Sequence, residues 1–338
     1  MIEYIYKCAD YLILNGYSVK STGLYNGKTG ISLCLFELAH YLKDGEIEKH
    51  AFELLQESLI LSSKKKDISF KNGLSGVGFV LLYLIKNQLI DADFEELFED
   101  CTNNILNHIE NSKESQDLLF LVYFLELLFQ SNKKKKIKDY SLNILRDVEK
   151  KLLLHIDDFE LIDSKLVKCD FLKDFTNYLK IISINEYQES SFLITRYCKL
   201  FEKGKIASNI EITFYLNQIN YNSKINNEWF NNVSAINEKE ALLNLEVNHS
   251  RFILSERLNT LYLLNKTPEK YNQHILLLED SIFDTSSNKF QEKLLNGIPR
   301  NKYIPGYEFG IARFLIYCVY KKLKNEKKDI SRFNLLFI

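Results

Sequence analysis

The chain has little of what bends a polypeptide: three prolines and twelve glycines in 338 residues. Folds made of many short strands need frequent turns, so this scarcity argues against them and for long helices with short connections. No two cysteines have Cys-x-x-Cys spacing. The six stand at 8, 34, 101, 169, 198 and 318, a scatter that reads as reduced, mostly buried thiols of a cytoplasmic protein. Neither sign of charge dominates. The formal net charge is −1, which predicts no preference for nucleic acid or anionic membrane. The longest apolar run, residues 118–129, contains Glu126 and is too short to cross a bilayer, so no transmembrane segment is expected. The start, Met1-Ile-Glu-Tyr-Ile-Tyr-Lys-Cys, has no basic beginning and no small-residue cleavage site, and no export signal is expected. No linker rich in Pro, Gly or Ser interrupts the chain, which predicts one domain over residues 1–338.

The few glycines are clustered. Gly23-Leu-Tyr-Asn-Gly27-Lys-Thr-Gly30-Ile-Ser-Leu is echoed by Asn72-Gly73-Leu-Ser-Gly76-Val-Gly78-Phe-Val-Leu-Leu. An altered copy, Ile304-Pro-Gly306-Tyr-Glu-Phe-Gly310-Ile-Ala-Arg-Phe-Leu, follows near the end. Each runs from a glycine loop into a strongly apolar helix. Gly30 and Gly78 are 48 residues apart, and Gly78 and Gly310 are 232 apart. The second distance holds five intervals of about 46, so the chain divides into seven units the size of a helical hairpin. Gly204 is the lone glycine between Gly78 and Gly297.

Helical periodicity fills the rest. Residues 2–15 read as a helix that Gly16 closes in a left-handed conformation. Residues 30–43 and 79–86 are apolar almost all round, which means burial on all sides. Residues 46–63 and 93–111 are amphipathic, and the alternation predicts two concentric layers. Helices are also expected over 115–130, 138–154, 190–203, 208–220, 238–247 and 250–265. Thr267-Pro268-Glu269 starts another, with Thr as N-cap and Pro at the first helical position. Residues 157–185 show a mixed pattern without assignment, and the lysine run 133–136 reads as a solvated connection.

The glycine phrases resemble the inner-helix motif of lanthionine synthetase C-like proteins. Asn72-Gly-Leu-Ser-Gly-Val-Gly78 carries the likeness best. Leu24-Tyr-Asn-Gly-Lys-Thr-Gly-Ile-Ser-Leu33 looks like the first repeat. Leu295-Asn-Gly-Ile-Pro299 with Gly306-Tyr-Glu-Phe-Gly-Ile-Ala312 looks like the last. The likeness covers roughly residues 20–110 and 290–325. It implies an all-α fold, an α/α toroid of about seven hairpins with inner and outer rings, whose glycine loops face a central cavity. The motif glycines are Gly27, Gly30, Gly73, Gly76, Gly78, Gly306 and Gly310. Crowded loops need residues without a Cβ, and free N–H groups at helix starts favour an acidic or carbonyl partner. Any single glycine can be read as a turn residue; the set points to the cavity. A phosphate loop is excluded, because no glycine stands five residues before Gly27.

The chain departs from the family where its chemistry lies. Active members bind zinc through one Cys and an adjacent Cys-His pair in a Cys-His-Gly phrase. Here the six cysteines are followed by Ala9, Leu35, Thr102, Asp170, Lys199 and Val319. Zinc-thiolate chemistry needs those ligands, so no metal and no cofactor is expected. Cys34, His40, Cys198, His249 and Cys318 are dispersed and read as packing or surface residues. Two functions stay open. One is a metal-free relative that binds a ribosomally made precursor peptide and meets its maturation or export proteins. Its cavity mouth would be Tyr25, Lys28, Lys71, Asn72, Arg300, Tyr303 and Tyr307, with Lys28, Lys71 and Arg300 making one end positive. The other is an enzyme with a different site on the same toroid, for example a carbohydrate-active one, although no carboxylate pair can be placed at the cavity.

Overall fold

A computed structural model describes residues 2–62, 66–109, 115–161, 169–185, 187, 191–222, 228–283, 294–299 and 302–337. Among these the chain is helical and has no strand, as the shortage of turn residues predicts. Fourteen α-helices of eleven residues or more follow one another. They are α1 (Ile2–Ser18), α2 (Lys28–Leu42), α3 (Gly45–Ser62), α4 (Leu74–Lys86), α5 (Phe94–Ile109), α6 (Ser115–Asn132) and α7 (Lys135–Leu161). Then come α8 (Cys169–Ile184), α9 (Ser191–Glu202), α10 (Ile210–Asn222), α11 (Glu228–Asn248), α12 (Leu254–Leu264), α13 (Pro268–Phe283) and α14 (Ile311–Asn325). No helix among the described residues is long and apolar enough to cross a membrane.

The local signals hold in most places. α13 begins at Pro268, and of the exposed residues 133–136 the first two connect α6 to α7 while Lys135 and Lys136 open α7. The unassigned stretch 157–185 contains the end of α7 and all of α8. Gly16 is a correction. It neither ends α1 nor takes a positive φ; the helix continues to Ser18. A Cβ on Gly16 would lie 2.8 Å from Leu54 Cδ1 and 3.4 Å from Ile31, so this glycine lets α1 approach α3 and α2 closely.

The chain forms two compact units. The first comprises Met1–Lys134, Phe252–Tyr262 and Glu279–Ile338; the second comprises Lys135–Arg251 and Leu263–Leu278. In the first, four helices are buried on every side: α2 from Lys28 to Ala39, α4 from Leu74 to Leu84, α6 from Leu119 to Leu128 and α14 from Ile311 to Tyr320. They pack in series, α14 against α2, α2 against α4, and α4 against α6. α3 and α5 bury only one stripe (Ile47, Ala51, Leu54 and Leu55; Phe94, Phe98, Ile105 and Ile109) and back onto α2 and α4. The apolar periodicity thus sorts helices by how many neighbours they need. In the second unit α8 lies beside α10, and α7, α9 and α11 pack in succession. α11 meets α13 through Glu238, which pairs with Lys270 and accepts from the Tyr271 hydroxyl at 2.6 Å.

Candidate functional site

Three of the wholly buried helices start in the same way. Their N-caps are Gly27, Gly73 and Gly310, all extended, and none is capped by a side chain. In each, the first helical amide donates to a carbonyl seven residues back: Lys28 to Ser21 at 2.9 Å, Leu74 to Asp67 at 2.8 Å and Ile311 to Ile304 at 2.8 Å. In two, the next residue repeats that reach with a hydroxyl, Thr29 Oγ1 to the Thr22 carbonyl at 2.5 Å and Ser75 Oγ to the Ile68 carbonyl at 2.8 Å. Then comes a glycine pressed on a carbonyl six residues back. A Cβ on Gly30 would sit 1.9 Å from the Leu24 oxygen, and one on Gly76 2.0 Å from the Phe70 oxygen.

This geometry corrects the repeat register. Gly73, not Gly78, corresponds to Gly310; Gly76, not Gly78, corresponds to Gly30; the first two copies are 46 residues apart. Gly78 lies inside α4, where a Cβ would come within 2.6 Å of the Phe124 ring and 2.7 Å of the Phe98 ring. The signal that would have found the register is Gly-x-Thr/Ser-Gly, since each of its three kept positions does a separate job. The third copy keeps the N-cap alone, with Ala312 and Arg313 at the hydroxyl and glycine positions. One expectation about ligands also changes. The first amide of each helix is taken by the helix's own loop and is not offered outward.

The loops converge as the glycines imply. Tyr25 N donates to the Lys71 carbonyl at 2.9 Å, and Tyr307 N donates to the Tyr25 carbonyl at 2.8 Å, so the third loop binds the first and the first binds the second. A Cβ on Gly23 would lie 2.3 Å from Asn72 Cα, and one on Gly306 3.0 Å from the Tyr25 oxygen. Tyr25 and Tyr307 are buried, with ring centroids 6.4 Å apart. Lys71 is half-buried, its ammonium 5.6 Å from the Tyr25 ring centre and 5.1 Å from that of Phe120. Asn72 is exposed. Tyr303 is half-buried with its hydroxyl oxygen enclosed and unbonded, and burial pushes that group up to about 12. Arg300 lies outside the described residues. Lys28 is not a solvent-facing cation. It is 3% exposed, and its ammonium donates to the Gly16 and Tyr17 carbonyls at the end of α1 while pairing with Glu57 at 2.8 Å. It secures a helix C-terminus, where a cation is favoured.

Sequence reasoning missed the last described residues. A 3₁₀ turn, Ser331–Leu335, and the two residues after it lie among α2, α4, α12 and α14 of the first unit. Glu37 of α2 is wholly buried, accepts the Tyr83 hydroxyl at 2.6 Å and pairs with Arg332 at 2.8 Å. The Leu336 carbonyl accepts from Arg313 Nη1 at 2.6 Å and from the Tyr307 hydroxyl. Arg313 also reaches Asn259 of α12 with Nε and Nη2. The Tyr262 hydroxyl donates to Asn334, and the Phe337 ring stacks on Tyr262 at 4.2 Å. Glu37 and Tyr83 are ten positions past their N-caps and Arg313 three past its own, so the segment runs against the helices toward the glycine loops.

The thiols are protected. Burial pushes Cys8 up to about 11 and Cys198 up to about 12, and holds Cys34 and Cys318 well above the ordinary thiol range. His40 is exposed, and His249 belongs to a 3₁₀ turn. Among the described residues no group of three or more His, Cys, Asp or Glu could hold a metal ion. We expect a thiol reagent at neutral pH to modify Cys34, Cys198 and Cys318 only on unfolding, because the thiolate is the reactive form. Rapid labelling of any of the three in the native protein would contradict their burial. No protein-family model matches this chain, and no curated protein matches it.

Proposed function

We propose that the chain is a metal-free relative of lanthionine synthetase C, a toroid of seven helical hairpins that binds a ribosomally made precursor peptide in the cytoplasm. The observation that carries this reading is the glycine-loop motif, with its repeated hydrogen bonds and its direct linkage from loop to loop. The alternation of the wholly buried α2, α4 and α6 with α3 and α5, which bury one stripe each, supports a build of helical hairpins, and the packing of α14 on α2 supports a ring joined end to beginning. The zinc ligands of the family have no counterpart, and the cysteines that stand in inner-type helices are buried thiols. The loop surface, with Lys71 and Asn72 on it and Arg300 close in sequence to the third phrase, is the side offered to an acidic peptide.

Two measurements test this. Metal analysis after exhaustive dialysis is expected to find no stoichiometric zinc. Near-equimolar zinc, lost when two of Cys34, Cys198 and Cys318 are replaced, would overturn the metal-free reading. Precursor-type peptides encoded beside the gene are expected to bind, and more weakly as salt rises. The pair Lys71→Glu and Arg300→Glu should weaken that binding at least tenfold while the helical circular-dichroism signal is kept. If none of those peptides binds the wild-type protein, peptide capture is the wrong function.

A further inference from the structure

We infer that the groove between α2, α4, α12 and α14 is a peptide-recognition site, and that residues 330–337 are its resident, displaceable ligand. The inference deepens the peptide-binding reading and rests on it, adding a specificity: an arginine followed by phenylalanine, with an aliphatic-aromatic pair three residues further on.

The walls of the groove are charged where they meet the segment. A core that only filled itself with such a segment would meet it with apolar side chains. Here the helices present Glu37, wholly buried, and Arg313, 2% exposed, and both bind the segment. Taking such charges out of water is unfavourable unless a matched partner receives them. Arg313 is the more telling, because it occupies the helix position where the other two copies have a glycine. The repeat there exchanges no side chain at all for the longest cation available, and the cation is directed at a main-chain carbonyl.

Leu336 is held by its backbone oxygen, with Arg313 and Tyr307 as donors. Arg332 enters an acidic pocket made by Glu37 with Tyr83 behind it. Phe337 lies flat on Tyr262, with Tyr317 and Tyr320 edge-on to it. Backbone contacts that any peptide can make, joined to side-chain pockets that only some can fill, is how peptide-binding proteins divide affinity from specificity. Residues 326–329, between α14 and the segment, are exposed, with Lys327 at φ 55° in the left-handed region. This connection can open without breaking a helix.

The test uses the whole protein, with a protease recognition sequence inserted after Lys327 and cut in the folded state. A fluorescent synthetic peptide of residues 329–337 is then offered in excess and followed by anisotropy. We expect saturable exchange, about a hundredfold weaker binding for the peptide with Arg332→Ala, no binding for a scrambled peptide, and a helical signal that survives removal of the segment. A segment that never exchanges, or a fold that collapses when it leaves, makes it ordinary core and overturns the inference. A second arm needs no cut: the uncut Arg332→Ala variant, with its own segment held less tightly, should bind the labelled wild-type peptide at least tenfold better than the wild-type chain does. Equal binding also overturns it. If the synthetic segment binds and no precursor peptide does, the groove stands and the maturation reading falls. If a precursor binds and the segment does not exchange, the reverse holds.

Discussion

Gly76→Val is expected to cost about 3–5 kcal/mol of stability or to abolish folding altogether. A Cβ at this position would sit 2.0 Å from the Phe70 carbonyl oxygen and 3.0 Å from Leu24 Cβ, and valine adds two methyl groups beyond it. The loop cannot retreat. The Leu74 amide holds the Asp67 carbonyl, and the Lys71 carbonyl is held by Tyr25 of the neighbouring loop. A shift of one loop therefore pulls on a second, and through Tyr25 and Tyr307 on a third. Gly204 is the positive-φ glycine among the described residues, so at Gly76 the strain comes from close approach and not from a left-handed backbone. Gly45→Ala is the control. Nothing lies within 4 Å of a Cβ there, at the first residue of α3, and alanine should be neutral or stabilising by up to about 1 kcal/mol. Urea melts of the two variants decide the matter. Equal midpoints would mean the glycine phrase has no structural role.

The parts of the fold legible in the sequence are those set by near neighbours. Helices wanting neighbours on every side, such as 79–86 in α4, announce this by carrying no charge until Lys86. α13 announces its start through Thr267 and Pro268. What was illegible depends on partners distant along the chain. Gly16 looks like a helix stop until Leu54 of α3 is brought against it. Lys28 looks like a mouth cation beside a glycine until the end of α1 and Glu57 close around its ammonium. The register of the glycine phrase was masked by Gly78, which serves helix packing and only mimics the motif spacing. The candidate site was half visible. Convergence of the loops follows from their glycines, whereas the seat of residues 330–337 joins Arg332 to a carboxylate 295 positions earlier, and no local pattern encodes that.

That long-range pair carries the second large effect. Arg332→Ala leaves the Glu37 carboxylate in a fully enclosed position with Tyr83 as its remaining hydrogen-bond donor among those described above, and a loss of about 3–5 kcal/mol is expected. Glu37→Leu removes the charge but strands the Tyr83 hydroxyl, 2.6 Å from the oxygen it served, and leaves Arg332 without its carboxylate. An unsatisfied buried hydroxyl adds about 1–3 kcal/mol. Because each single change injures what the other residue needs, their effects should not add. The double variant Glu37→Leu with Arg332→Leu is expected to be more stable than Arg332→Ala alone, and adding Tyr83→Phe should recover most of the remainder, since apolar replacement of a whole buried ionic group is often close to neutral. Urea unfolding of Glu37→Leu, Arg332→Leu and their double closes the cycle and measures the coupling directly, with the triple alongside. A value within about 0.5 kcal/mol of zero would show that Glu37 and Arg332 stabilise the protein independently. Limited proteolysis adds a readout that global stability does not supply. If the pair is what seats the segment, cleavage at the exposed residues 325–329 should accelerate in Arg332→Ala well below its unfolding midpoint, because local release then precedes global unfolding. Cleavage that tracks the unfolding curve in every variant would place the pair in the cooperative core and leave the segment no separate freedom to move.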